Sequence, residues 1–314
     1  MAKRIVTVGF EIPGQSESYL PLDSDQSLLD YDIIGFTPDI LALSMSGGEY
    51  YQGKPCLSDT ASFNLKEKAS RWKQELLTAF QHGKTIFVYM SEFREVFVAT
   101  GTVNHSGTGR SRVTTRHVAI FDNFKLLPIP LELVTSARGR EMKPVKALGL
   151  LSSYWAEFGE MSRYEVYFES KMITPLIVTK TGNKTVAGLV RAKAGLKGGA
   201  ILFLPPLRYD EEAFTQEKDG KIYWNKAGLA FGRKWISALT AIDTTVASEL
   251  QQTPQPEWVK GTTFALQNER TFQARISEAN AQLEALEAEK RTLLDQLQRE
   301  GSLRNLLYET GPLQ

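Results

Sequence analysis

The sequence predicts an α/β domain over residues 1–250, followed by a coiled-coil helix over residues 266–303. Three observations carry this expectation. Short β-branched runs and an amphipathic stretch follow one another as strand, strand, helix, strand, an order that favours at least some parallel strands. The run from Thr85 to Met90, TIFVYM, is continuously apolar in character, as suits a strand covered on both faces. Toward the carboxyl end, apolar residues recur at alternating steps of four and three, the spacing of a heptad seam.

Taken in order, Ile5 to Phe10 form a first strand, stopped by Pro13-Gly14, and Asp32 to Phe36 a second, stopped by Pro38. Residues 44–59 contain Gly47, Gly48, Gly53 and Pro55 and read mostly as loop. Leu65 to Gln81 form a helix whose apolar stripe is Leu65, Ala69, Trp72, Leu76, Ala79 and Phe80, ended by His82-Gly83. After TIFVYM, Glu95 to Ala99 add a strand or extend this layer, and Asn104 to Arg112, NHSGTGRSR, read as a polar loop. Val118–Phe121, Leu131–Val134, Tyr164–Phe168 and Leu176–Thr179 are further strands, with connections too irregular to order them in a sheet. Val186–Val190 and Ala200–Leu204 make a late pair, closed by Pro205-Pro206, which cannot continue a central strand. Trp224 to Leu250 form a long helix with an irregular start, whose Leu229, Trp235, Ile236, Leu239 and Ile242 cover one side of the sheet.

Residues 251–265 are expected to be a linker, opening on QQTPQP, whose two prolines interrupt a helix. The seam that follows consists of Phe272, Ile276, Ala279, Leu283, Leu286, Lys290, Leu293 and Leu297. Lys290 weakens it and selects register or oligomer. Residues 304–314 read as a tail or truncated connector. The seam predicts self-association, or docking of a partner helix, through residues 266–300; folding back onto the α/β domain is the alternative.

Composition narrows the function. A formal net charge of +1 gives no general drive toward nucleic acid or anionic membranes, although a local basic patch remains open. The single cysteine, Cys56, rules out an intramolecular disulfide and a cysteine-rich metal site, and fits a reducing compartment. No signal peptide and no apolar run of membrane-spanning length is read, so the expectation is a cytoplasmic protein without a membrane partner.

Ser91 follows the most apolar strand, at the kind of strand end where α/β proteins carry their sites. It is the candidate nucleophile, with His105 and His117 as candidate bases. The nucleophile-elbow pattern GxSxG is missing, the local sequence being YMSEF, and capping by Ser91 or Glu92 is the structural alternative. In SGTGRSR, glycines would let backbone amides approach an anion, with Arg110, Arg112 and Arg116 supplying charge. It is neither a P-loop nor a dinucleotide fingerprint, since GxxxxGK[ST] is absent and GTG opens no helix. A second basic group, Arg138, Arg140, Lys143 and Lys146, would make a nucleic-acid surface if it met the first. Asp32 and Asp59 read as capping or turn residues. No metal-ligand spacing is present and no metal or cofactor is expected. Cys56 reads as a small buried side chain.

The segments IVTVGF, DIIGF, TIFVYM and VAGLVRAKAGLKGGAILFLPP, in that order, resemble the class I glutamine-amidotransferase-like superfamily, including its ThuA-like branches. The resemblance implies a flavodoxin-like sandwich over residues 1–250, with Gly198-Gly199 leading into the late strand Ala200 to Leu204. It also implies a catalytic cysteine after a central strand, where this chain has Ser91 or its neighbours, and a His-x-Glu after the late strands, where it has PPLRYDEE. Without that cysteine and His-x-Glu, and with the heptad seam, the function expected is a non-catalytic ligand- or protein-recognition scaffold that assembles through its C-terminal helix. The alternatives are a hydrolase with a site near Ser91, and a nucleic-acid-associated module linked to a nuclease or defence-type system. No PD-(D/E)xK constellation occurs in the chain.

Overall fold

The computed structural model of the protein describes residues 3–41, 49–108, 111–145, 149–192, 198–218 and 220–251, and most positions between 271 and 301. Residues 252–265 of the expected linker, the expected tail, Gly47-Gly48, Arg110 and Lys146 lie outside the described residues, and Gln251, expected in the linker, ends a helix. The chain divides into two units, Met1–Gln251 and Gln252–Gln314.

The first unit is a mixed α/β fold with several sheets. Its spine is a run of parallel strands: β1 (Ile5–Val8), β2 (Tyr19–Leu20), β3 (Ile33–Phe36), β6 (Thr85–Tyr89) and β14 (Ala200–Leu204). They lie in the order β14-β6-β3-β1-β2, with Ile33 opposite both Ile5 and Thr85, and Ala200 opposite Thr85. The sheet continues beyond β14 through antiparallel strands β13 (Thr185–Arg191), β12 (Thr174–Thr179) and β10 (Met142–Pro144).

Alternation along these strands sorts the core into two faces. Ile34, Phe36, Ile86, Val88, Ile201 and Phe203 pack with helix α1 (Asp59–Gln81), through Leu65, Trp72 and Leu76. Ile33, Phe87, Tyr89, Leu202 and Leu204 pack on the other face, against α2 (Ser152–Phe158) and α4 (Lys226–Gln251), through Phe158, Trp235 and Leu239. Every residue of β3, β6 and β14 is buried, which is why their sequences are apolar without alternation.

Local chemistry sets the ends of these elements. The Ser58 hydroxyl accepts from the Ala61 amide, and Asp59 occupies the first turn, favourable to the helix dipole. Helix α1 therefore starts six residues before its apolar stripe does. Helix α4 begins after Asn225, whose Oδ1 accepts from the Gly228 amide at 2.9 Å. At the amino end of β6, Thr85 Oγ1 donates to the buried carboxylate of Asp243 at 2.7 Å, joining the strand to α4. Lys3 Nζ is 2.7 Å from the other oxygen, an ion-pair distance without hydrogen-bond alignment. Gly199 has a packing reason: a Cβ there would lie 1.8 Å from the Lys84 carbonyl, and its amide donates to Phe80 O at 2.7 Å. The two glycines thus let the start of β14 pass the end of α1.

The structure corrects several expectations. Residues 49–56 are not loop but a hairpin, β4 (Glu49–Tyr51) and β5 (Lys54–Cys56), turned by Gln52 and Gly53 at positive φ. The polar stretch 104–112 is largely strand: β7 runs Glu95–Ser106 and β8 Val113–Asp122, leaving only 107–112 between them. These four strands form a second sheet in the order β4-β5-β7-β8. The strand expected at 131–134 is β9 (Leu133–Gly139), paired with β11 (Tyr164–Glu169). Trp224 ends a strand rather than starting a helix. It belongs to a hairpin of β15 (Thr215–Lys218) and β16 (Lys221–Trp224), following a short helix α3 (Glu211–Phe214).

In the second unit the described residues between 271 and 301 are helical. Among the described residues no helix is long and apolar enough to cross a membrane.

Candidate functional site

The carboxyl edge of the parallel strands carries a compact polar cluster. Pro38 and Asp39 follow β3, and Ser91 and Glu92 follow β6. Asn123, fully buried just after β8, knits them together: its Nδ2 donates to Pro38 O at 2.7 Å and to Glu92 O at 2.9 Å, and its Oδ1 accepts from the Arg94 amide at 3.0 Å. Ser91 Oγ donates to the same Pro38 carbonyl at 3.0 Å, and Asn123 Nδ2 lies 3.4 Å from Ser91 Oγ. The Glu92 carboxylate is held by Arg94 Nη2 at 3.1 Å and Arg138 Nη2 at 2.5 Å. The Ser91 hydroxyl and the Asn123 amide are thus both turned toward neighbouring loops.

On the other face of β6 the same edge is filled by aromatic packing. Phe10, Tyr89 and Trp235 sit with ring centroids 5.0–5.7 Å apart, continued by Tyr209, Phe231 and Phe214. Trp235 Nε1 donates to Tyr89 Oη at 2.7 Å, and the Tyr154 hydroxyl lies 3.4 Å from it. Burial pushes the Tyr89 and Tyr154 hydroxyls above the ordinary phenol range, so both remain neutral.

The histidines are elsewhere. His105 is on the outer part of β7, its Nδ1 3.1 Å from Thr114 Oγ1, and His117 is exposed on β8. At about 3.3 Å rise per residue, His105 is roughly 30 Å along the strand from Glu95, the end nearer Ser91. The structure therefore gathers Ser91, Glu92 and Asn123 but does not bring a histidine to Ser91. Asn123 was not singled out from sequence. Its available signal was a polar pair, Asp122-Asn123, after the apolar run Val118–Phe121, which is also what an ordinary turn contains.

The outer parts of β7 and β8 form a projecting two-stranded ribbon. Inside, Val96, Val98 and Phe121 join the core beside α1. Outside, the pairs run from Val103 opposite Arg116 to Ser106 opposite Val113, beyond a register shift at Gly101, whose φ is +86°. Such a bulge bends the ribbon and increases its twist. Gly107, also at positive φ, turns the tip, and the Ser111 amide donates to Thr108 O at 3.2 Å. The described residues from 100 to 117 are exposed except Arg116, which is half-buried. Arg116 is committed at the root: it pairs with Asp59 at 3.1 Å and donates to Leu57 O at 3.1 Å, with Cys56 Sγ 3.6 Å away. Arg112 is exposed. Of the second basic group, Arg138 pairs with Glu92, and Arg140 lies 3.9 Å from Glu141. These residues and Lys143 are on β9, β10 and their connection, not on the ribbon's sheet. Asp32 accepts the Arg4 amide at 2.9 Å, which, with Lys84 nearby, holds its carboxyl below the usual range. Cys56 is buried in β5 as a free thiol. Among the described residues, no three His, Cys, Asp or Glu side chains group as metal ligands.

The C-terminal helix is the third feature. Phe272, Ile276, Leu283, Leu286, Leu293 and Leu297 are each between 55% and 69% exposed, and Ala279 and Lys290 are exposed with them. Leu286, Lys290, Leu293, Leu294 and Leu297 line a shallow apolar groove. Comparison of the chain with family models, curated proteins and solved structures gave no match.

Proposed function

We propose that the protein is a non-catalytic recognition scaffold, with a glutamine-amidotransferase-like α/β domain, that assembles as a homodimer through a coiled coil of its C-terminal helix. The observation that carries this reading is the exposed apolar seam from Phe272 to Leu297. Such a face is stabilised by burial, and heptad spacing suits another helix.

A second copy of the chain is the occupant favoured by charge. The spacing puts Ile276, Leu283, Lys290 and Leu297 at one core position of the heptad and Phe272, Ala279, Leu286 and Leu293 at the other. A parallel pair in register would set Lys290 against the partner's Lys290. In an antiparallel pair that overlaps over the whole seam, Ile276 meets the partner's Leu293, Leu283 meets the partner's Leu286, Lys290 meets the partner's Ala279, and Leu297 meets the partner's Phe272. Each pairing occurs twice by symmetry, and each Lys290 faces a small apolar side chain instead of a second Lys290. Antiparallel self-pairing is therefore the arrangement we infer.

Two features support the absence of a catalytic centre at the strand edge. Ser91 spends its hydroxyl proton on Pro38 O, and the aromatic side chains on the opposite face leave the edge closed there. The superfamily assignment draws its support from the parallel strand run with helices on both faces and from the glycine-led β14. Light scattering of the intact chain tests the assembly: the reading expects twice the 35.1 kDa chain mass at micromolar concentration, and a monomer at every concentration would reject it.

A further inference from the structure

We infer that the slot filled by the Phe10 ring, at the carboxyl ends of β1 and β3, is a ligand site gated by Phe10. Its ligand is a neutral six-membered heteroaromatic ring of the pyridine or pyrimidine type. The inference rests on the recognition half of the reading above and is independent of whether the chain dimerises.

The floor of the slot comes from the sheet. Thr7 of β1 pairs with Gly35 of β3, and Gly35 with Phe87 of β6, so the three share the face covered by α4. Thr7 is 2% exposed, and among the described residues its Oγ1 has no hydrogen-bond partner. A buried hydroxyl left unpaired costs stability that a valine of the same shape would not, so a threonine here calls for a partner. Gly35 has no side chain where the Phe10 ring rests: a Cβ there would lie 2.8 Å from Phe10 Cζ and 3.2 Å from the Thr7 methyl. The Thr7 side chain therefore borders the space that the ring fills.

Phe10 sits as a stacked ligand would. Its ring is stacked on Trp235 at 5.7 Å and 29°, and meets Tyr89 edge-on at 5.0 Å and 70°. Those two walls are fixed to each other, since Trp235 Nε1 donates to Tyr89 Oη at 2.7 Å. Phe10 is not fixed in the same way. β1 ends at Val8, and Gly9, at φ +82°, starts the loop that carries the ring. Tyr89 and Trp235 are buried but Phe10 is only half-buried, so rotating this one side chain into solvent opens the slot between standing walls. The carboxyl end of parallel strands is also where open α/β sheets hold ligands.

The lining sets the chemistry of the ligand. Trp235 offers a flat face for stacking, and Thr7 Oγ1 offers a donor and an acceptor to a polar ring edge. The space freed is that of one phenyl ring, which fixes the ring size. The loop of residues 9–18 contains Glu11 and Glu17 and no lysine or arginine. Glu11 is held by the Ser16 hydroxyl and the Trp224 indole, which leave its charge in place. A phosphate or carboxylate on the ligand would meet that like charge beside the gate, and a neutral ring would not.

The test is ligand-observed NMR of the full chain, titrated to a Kd, with nicotinamide and uracil. Nicotinate and uridine monophosphate are their anionic counterparts, and toluene is the apolar ring of the same size. At least one neutral heteroaromatic ring should bind the native chain, and its anionic counterpart should bind about tenfold more weakly or not at all. Phe10→Ala should tighten the neutral ring by about tenfold or more, because no side chain has to be expelled. Thr7→Val, neutral in shape, should weaken the same ring by about tenfold, the worth of one hydrogen bond. It should leave toluene binding to the Phe10→Ala chain unchanged. Light scattering of the same samples reports the dimer, and recovery of unchanged ligand reports the lack of turnover, so failure of the site and failure of the scaffold reading are seen separately. Three results would overturn the inference: no binding of either neutral ring by the native chain, even if Phe10→Ala binds them, which would make Phe10 a core ring only; equal affinity after Thr7→Val; or tighter binding of the anionic counterparts.

Discussion

Replacing Leu286 and Leu293 together by aspartate tests the helix seam on either side of Lys290. In the single chain these side chains are 65% and 57% exposed. Full burial of a leucine contributes roughly 1.5–3 kcal/mol, so the exposed portion leaves about 1–2 kcal/mol for each to gain on pairing. A homodimer buries both in each copy, so the double variant forfeits roughly 4–8 kcal/mol, before any cost of placing carboxylates in an apolar seam. That corresponds to about three to six orders of magnitude in Kd. Sedimentation equilibrium should show a dimer for the wild type and a monomer for the variant. The thermal transition of residues 1–251 should not move, because the substituted side chains belong to the other unit. A variant that sediments with the wild-type mass would refute the reasoning, since no helical pairing through this seam tolerates two buried aspartates one heptad apart on either side of Lys290.

Other substitutions separate the remaining parts of the account. Lys290→Leu should act in the opposite direction, tightening the dimer by roughly tenfold or more in a dilution series, because it removes the charged core position. Asn123→Ala should cost about 2–4 kcal/mol in urea denaturation, since it strips partners from Pro38 O, Glu92 O and the Arg94 amide together. Ser91→Ala should cost about 1 kcal/mol or less by the same assay, because Pro38 O keeps its bond from Asn123. Asp243→Ala should cost about 1–3 kcal/mol by orphaning the buried Thr85 hydroxyl, with little added from Lys3, which is 40% exposed. The depressed Asp32 carboxyl contributes stability above its ordinary pKa of 3.8 that is lost as pH falls through the lower folded value. Melting curves of Asp32→Asn should accordingly depend less on pH below about 4 than those of the wild type.

What could be read from sequence depended on whether burial wrote a period into it. TIFVYM and AILFL are covered on two faces and announce themselves as strands; the stripe from Leu65 to Phe80 does the same for α1. The heptad steps from Phe272 to Leu297 were legible as a period too, in a helix whose apolar residues are exposed. The outer ribbon was not. Thr102, Asn104, Ser106, Thr114 and Thr115 face solvent on both sides, so no apolar alternation marks the strands, and their polar composition is that of a loop. The hairpin β15–β16 was missed although Gly220, at φ +70°, follows Asp219 in the Asp-Gly pairing that favours tight hairpin turns. The start of α1 was placed late because its first turn is specified by a Ser58 cap rather than by apolar spacing. At the strand edge, Ser91 stood out for its position after β6, but the residue that organises the edge is Asn123, and a buried hydrogen-bonding role leaves no periodic trace.

The central claim is that the seam from Phe272 to Leu297 is buried against a second copy. Peptide-resolved hydrogen exchange across residues 271–301, followed over a dilution series, tests it most directly, because amides of an isolated exposed helix exchange from frayed states whatever the protein concentration. The account predicts slow exchange at high concentration that accelerates on dilution, in step with the loss of the dimer mass, while exchange in β6 and β14 stays constant. Exchange over 271–301 that is equally fast at every concentration would contradict it.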